Sequence, residues 1–193
     1  MGKGRLEAFS DGVLAIIITI MVLELKVPHG SELSDLRPLL PVFAGYLLSF
    51  VYIGIYWNNH HHLLQAAHHI SGRVLWANMH LLFWLSLVPF VTAWMGEHPG
   101  SQAPVIVYGV VLLGAGLAYH WLTTALIGVH EKGSTLEQAI GRDGKGWLSL
   151  LLYVAGIGAS FLNVWLSVLL YTAVAVLWFV PDTRIEGRLG KGG

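Results

Sequence analysis

Three groups of polar side chains in this 193-residue chain have the types and spacing to do chemistry. The first is Arg5-Leu6-Glu7-Ala8-Phe9-Ser10-Asp11-Gly12, followed by Thr19; the second is Trp57-Asn58-Asn59-His60-His61-His62; the third is Asn78 with His80. Hydroxyl oxygens can replace part of a cation's hydration shell. Neutral imidazoles can bind zinc or copper. Amides, indoles and imidazoles hydrogen-bond one another where water is excluded. For Ser10 and Asp11 two readings stand: they cap a helix start, where an acceptor and an anion are favourable, or they belong to a functional network. For the histidines, adjacent residues on a helix point in different directions, and no acid lies in either flanking apolar stretch. The expectation is therefore mutual hydrogen bonding inside a bundle, with no metal site and no cofactor. His120 stands alone and reads as a packed residue.

Around the first group the spacing carries further information. Gly12, Ile16, Thr19, Leu23 and Lys26 recur at intervals of four, three, four and three, which places them on one narrow stripe of a helix. Such a stripe faces a partner helix or an axis. A packing seam is the simpler reading. If several copies met around an axis, the stripe would line a pore with apolar rings, which gate by dewetting, and a hydroxyl layer between them.

The elements that must position these groups follow from composition. Apolar residues make up 55% of the chain and charged ones only 11%, against roughly 25% charged in an average soluble domain. That shortage excludes an ordinary water-soluble surface. The apolar residues gather into six stretches, at about 9–27, 38–63, 73–95 with Pro89 inside, 104–129, 146–162 and 163–180. Each approaches the roughly 20 residues that a membrane-spanning helix needs. The predicted fold is an all-α integral membrane protein, a single six-helix domain with a tail at 181–193. The first stretch is too long for a cleaved leader and ends in Glu24-Leu25-Lys26 rather than small residues.

Eleven Lys and Arg balance eleven Asp and Glu, so no basic field favours nucleic acid. With the N-terminus cytoplasmic, Lys3, Arg5, Arg73, Lys132, Arg142, Lys145, Arg184, Arg188 and Lys191 all fall on the inner side, leaving Lys26 and Arg37 outside. The positive-inside rule then predicts both termini in the cytoplasm of a cell whose inner (plasma) membrane the chain crosses. There is no Cys, hence no thiolate metal site or cysteine nucleophile. Gly-x-Ser-x-Gly and His-Glu-x-x-His patterns are also missing, so no enzyme is expected. The alternative to a channel is a proton- or metal-coupled transporter using the His-rich second stretch.

Arg5-x-x-x-Phe9-Ser10-Asp11-Gly12, then Ile16, Thr19 and Leu23 and a closing Leu-Glu-Leu-Lys-Val-Pro, resembles the first helix of bacterial members of the endosomal and lysosomal potassium channel family, the transmembrane protein 175 family. Trp57-x-x-His60-His61, Asn78 and Pro89 are similar to that family as well. The resemblance implies a homotetrameric, potassium-selective channel in the lipid bilayer, without a Gly-Tyr-Gly filter, conducting monovalent cations and potassium above all. It implies that Ile16 forms the main hydrophobic constriction, Thr19 a polar layer and Leu23 a second ring, with Ile20 a further pore residue. It also implies a supporting network in which Arg5, Ser10 and Asp11 join Trp57, His60 and Asn78, beside Phe9 of the same motif.

Overall fold

A computed structural model of the chain describes residues 2–129 and 143–179. The described residues form seven α-helices and one 3-10 helix, and no strand is present among them. The predicted tail at 181–193 and the basic residues Lys132 and Arg142 lie outside the described residues.

Helix α1 runs Lys3–Leu23. It starts six residues before the predicted Phe9, because backbone hydrogen bonding continues through the charged Arg5 and Glu7 where the apolar run does not. It ends at Leu23, with Glu24 as its C-cap. A 3-10 helix, Leu33–Leu39, is closed by a reciprocal capping box between Glu32 and Asp35. Helix α2, Leu40–Gln65, begins with Pro41, which is tolerated in a first turn. The stretch predicted at 73–95 is interrupted: α3 covers Gly72–Ser86 and α4 covers Val88–Glu97. Pro89 has no N–H to continue the ladder, so the helix breaks at Leu87. Then come α5, Gln102–Ile127, α6, Gly144–Ala159, and α7, Val164–Phe179. Ser71 caps α3 and Asp143 caps α6, accepting from Gly146 N at 2.8 Å. Among the described residues, four helical segments are long and apolar enough to cross a membrane, with α3 and α4 together forming one of them. The 16-residue α7 is apolar but shorter, about 24 Å in length.

In the packing, α5 is central, resting on α3, α4 and α6, while α6 and α7 form a hairpin. Helix α1 rests on α2, α3 and α4. The core beneath α5 is aromatic. Tyr52 donates to the Tyr171 carbonyl at 2.6 Å, and the Tyr171 hydroxyl donates to Val105 O at 3.3 Å. Gly156 makes room for Tyr171: a Cβ there would lie 2.4 Å from the ring. Close to the Pro89 break, Thr92 donates to Val88 O at 2.6 Å. Its single proton is thereby committed, so it accepts from Ser49 at 2.6 Å, and Ser49 in turn accepts from Tyr108 at 2.9 Å. All three hydroxyls are buried and satisfied, as a dry interior requires.

Candidate functional site on the first helix

Helix α1 has two faces of opposite character. Leu6, Ser10, Leu14, Ile17 and Met21 are buried against α2, α3 and α4. Phe9, Gly12, Ile16, Thr19, Ile20 and Leu23 are all exposed, with Ile16 at 58% and Leu23 at 79% against 1% for Leu14. A Cβ on Gly12 would touch nothing within 4 Å. The stripe read from the sequence is thus, as far as Leu23, the face that α1 turns away from the rest of the chain. Lys26 departs from that stripe: the helix has ended at Leu23, and Lys26 forms an ion pair with Glu97 at the end of α4.

The buried face is held by one directional chain of hydrogen bonds. The Ser10 hydroxyl donates to Leu6 O at 2.9 Å, so its oxygen is free to accept from Asn78 Nδ2 at 3.0 Å. Asn78 Oδ1 then accepts from His60 Nε2 at 2.7 Å. Because the amide oxygen is the acceptor, the proton on His60 sits on Nε2. All three residues are essentially inaccessible, and they join α1, α3 and α2. A second link lies at the surface, where Trp57 Nε1 donates to Asp11 Oδ1 at 3.0 Å. Trp57 also stacks on His61, with centroids 6.0 Å apart.

Arg5 does not join either link. It is exposed, and its guanidinium has no hydrogen-bond or ion-pair partner among the described residues. Five residues separate it from Ser10, about 140° around the helix at 3.6 residues per turn, so it points away from the face on which Asn78 sits. Phe9 is likewise on the outward face. His61, His62 and His80 are not gathered with acids: no group of three or more His, Cys, Asp or Glu among the described residues is placed to hold a metal ion. His120 packs against Trp147, with centroids 5.3 Å apart.

Thr19 shows what the outward face can offer. Its hydroxyl donates back to Ala15 O at 3.1 Å and Ile16 O at 2.9 Å. With the proton committed to its own helix, only oxygen lone pairs point outward, the half of a hydroxyl that solvates a cation.

Two features of α1 were not read from the sequence. Lys3 Nζ donates to Gln65 O at 2.9 Å, closing the C-terminus of α2, and Lys26 pairs with Glu97. Both partners are more than sixty residues away, and no local pattern announces them.

Residues 5–89 match the family model described as endosomal/lysosomal potassium channel TMEM175. A potassium channel of Chryseobacterium sp. (strain P1-3) is 52% identical over 98% of each chain. The chain belongs to the TMEM175 family. Within that family, the crystal structure of a lysosomal potassium-selective channel TMEM175 homolog from Chamaesiphon minutus superimposes with a TM-score of 0.78. That match has 32% identity and covers 92% of this chain and 96% of the other. The endosomal/lysosomal proton channel TMEM175 of Gallus gallus is 31% identical over 86% of this chain, which spans 37% of that longer protein.

Proposed function

We propose that the chain is a passive, potassium-selective cation channel of the cell's plasma membrane, with both termini cytoplasmic, assembled as a homotetramer around four copies of α1. The observation that carries this reading is the outward face of α1. An exposed stripe of large apolar residues on a membrane protein is ordinarily a lipid face. This one also contains Gly12 and a hydroxyl whose lone pairs point outward, neither of which serves contact with acyl chains. Around a fourfold axis, Ile16 and Leu23 supply apolar rings that exclude water when narrow, and Thr19, with Ile20 beside it, lies between them. The Ser10–Asn78–His60 chain and the Asp11–Trp57 bond hold α1 in fixed rotation on its subunit, so that the rings keep register.

Conduction of this kind needs no cofactor and no enzymatic step; potassium is the permeant ion. The relatives named as potassium channels support the reading, and the Chamaesiphon minutus structure described as a potassium-selective channel supports it further. A metal-coupled transporter is weakened by His60, whose Nε2 is taken up by Asn78 rather than directed at a ligand.

The test is reconstitution. Protein of tetrameric mass in liposomes should carry a potassium current whose reversal potential follows the potassium gradient rather than the sodium gradient. A folded tetramer without cation current, or a current that follows sodium equally, overturns the proposal. A proton gradient imposed separately measures proton flux through the same pore.

A further inference from the structure

At the C-terminal end of α1, just past Leu23, a depression of about 400 Å3 is lined by Glu24, Lys26, Glu97 and His98 among others. Lys26 and Glu97 form an ion pair there. Both side chains are largely open to water, at 73% and 46% exposure. Glu24 caps the end of α1 and has no ion-pair partner among the described residues. Glu97 also holds the Lys26 ammonium above the ordinary lysine range, chiefly through the hydrogen bond and then through its charge. The lysine is therefore a full cation at neutral pH.

An exposed pair of this kind adds too little to stability to hold a fold together. Its consequence is electrostatic. In the proposed tetramer, four copies of Lys26 stand within a few residues of the Leu23 ring, where unneutralised ammonium groups repel incoming cations. We infer that Glu97 acts as a positioning and neutralising residue for conduction: it draws Lys26 onto α4 and cancels its charge, leaving Glu24 to set an attractive net charge at the outer mouth. This inference rests on the channel reading above, and wild-type current is the arm that separates the two.

Glu97→Gln, Lys26→Gln and the double variant should be reconstituted beside wild type, and inward potassium current recorded at about 0.02 M and 1 M salt. Absence of wild-type current condemns the channel reading itself. Given wild-type current, Glu97→Gln should lower inward current about threefold or more at low salt, because the freed ammonium is screened only over tens of ångströms there. At 1 M salt, with a screening length of about 3 Å, the difference should vanish. Lys26→Gln should conduct at least as well as wild type, and the double variant should recover to the wild-type level or above. Wild-type current in Glu97→Gln at low salt overturns the inference. So does a double variant as impaired as Glu97→Gln, or a deficit that persists at 1 M salt, since each assigns Glu97 a role other than neutralising Lys26.

Discussion

Helices α1 and α7 both lie at the periphery of the helix bundle and both leave a face outside it, yet the two faces are made differently. On the outward face of α7, Trp165, Leu169, Val176 and Phe179 are all more than 60% exposed, with Ala173 among them and the hydroxyl-bearing Thr172 half-buried at its edge. The outward face of α1 mixes large residues with Gly12 and Thr19. Their inward faces differ as well. Helix α1 is tied to two neighbours by a fully satisfied chain through Ser10, Asn78 and His60. On α7 the ties run through Tyr171, which accepts from Tyr52 and donates to Val105 O, while Ser167 is buried with no hydroxyl partner among the described residues. Both helices are held in rotation on their neighbours, but only on α1 does the tie pass from one neighbour to the next through a chain of polar side chains. In the proposed tetramer, that chain would keep the residues of α1 in register with their symmetry mates.

The sharpest way to break this contrast is a matched pair of substitutions. Ile16→Asn should wet the constriction and raise potassium flux about tenfold or more. Leu169→Asn should leave flux per folded tetramer unchanged while lowering yield, because it places an amide against lipid. Equal effects on flux, measured in the same liposomes, would erase the distinction.

Next in size is the pair of buried polar positions. Asn78→Ala strips partners from both His60 and Ser10 and should lower stability by about 1–3 kcal/mol. Ser167→Ala removes an unsatisfied group and should be neutral or stabilising by up to about 1 kcal/mol. Thermal unfolding in one detergent distinguishes them. A smaller effect is expected from Thr19→Val, which keeps the shape and removes the outward lone pairs; the potassium-to-sodium permeability ratio should fall about two- to fivefold. Thr172→Val on α7 should not move that ratio. Smallest is Arg5→Gln: an exposed side chain without a partner among the described residues should change the midpoint of unfolding by less than the equivalent of about 0.5 kcal/mol.

Much of this architecture was legible because a bilayer imposes a length. Apolar runs of about 20 residues mark spans whatever their partners; the stretch at 73–95 reads as one run because its hydropathy does not change at Pro89, whose missing N–H divides it into α3 and α4. The stripe of α1 was legible as far as Leu23, since four-three spacing is a property of one helix. It failed at Lys26 because the spacing cannot reveal that the helix ends three residues earlier and that the lysine turns to Glu97. Likewise the start of α1 was read too late, because charge ends an apolar run without ending a helix. Joining Ser10 to Asn78 requires a contact across 68 residues; spacing does not encode it, and family resemblance suggested it. The same resemblance included Arg5, which the helical phase of α1 directs elsewhere.

The chain contains no Cys, so single cysteines can be placed on α1 without background. The decisive experiment introduces cysteine at Ile16, Ile17, Leu23 and, on α7, Leu169, and follows potassium current while a small water-soluble cationic thiol reagent is added. Current through the Ile16→Cys and Leu23→Cys channels should be blocked irreversibly, while Ile17→Cys and Leu169→Cys channels should remain open. Block at Ile17 or Leu169 with Ile16 and Leu23 spared would mean that the outward face of α1 does not line the conduction path.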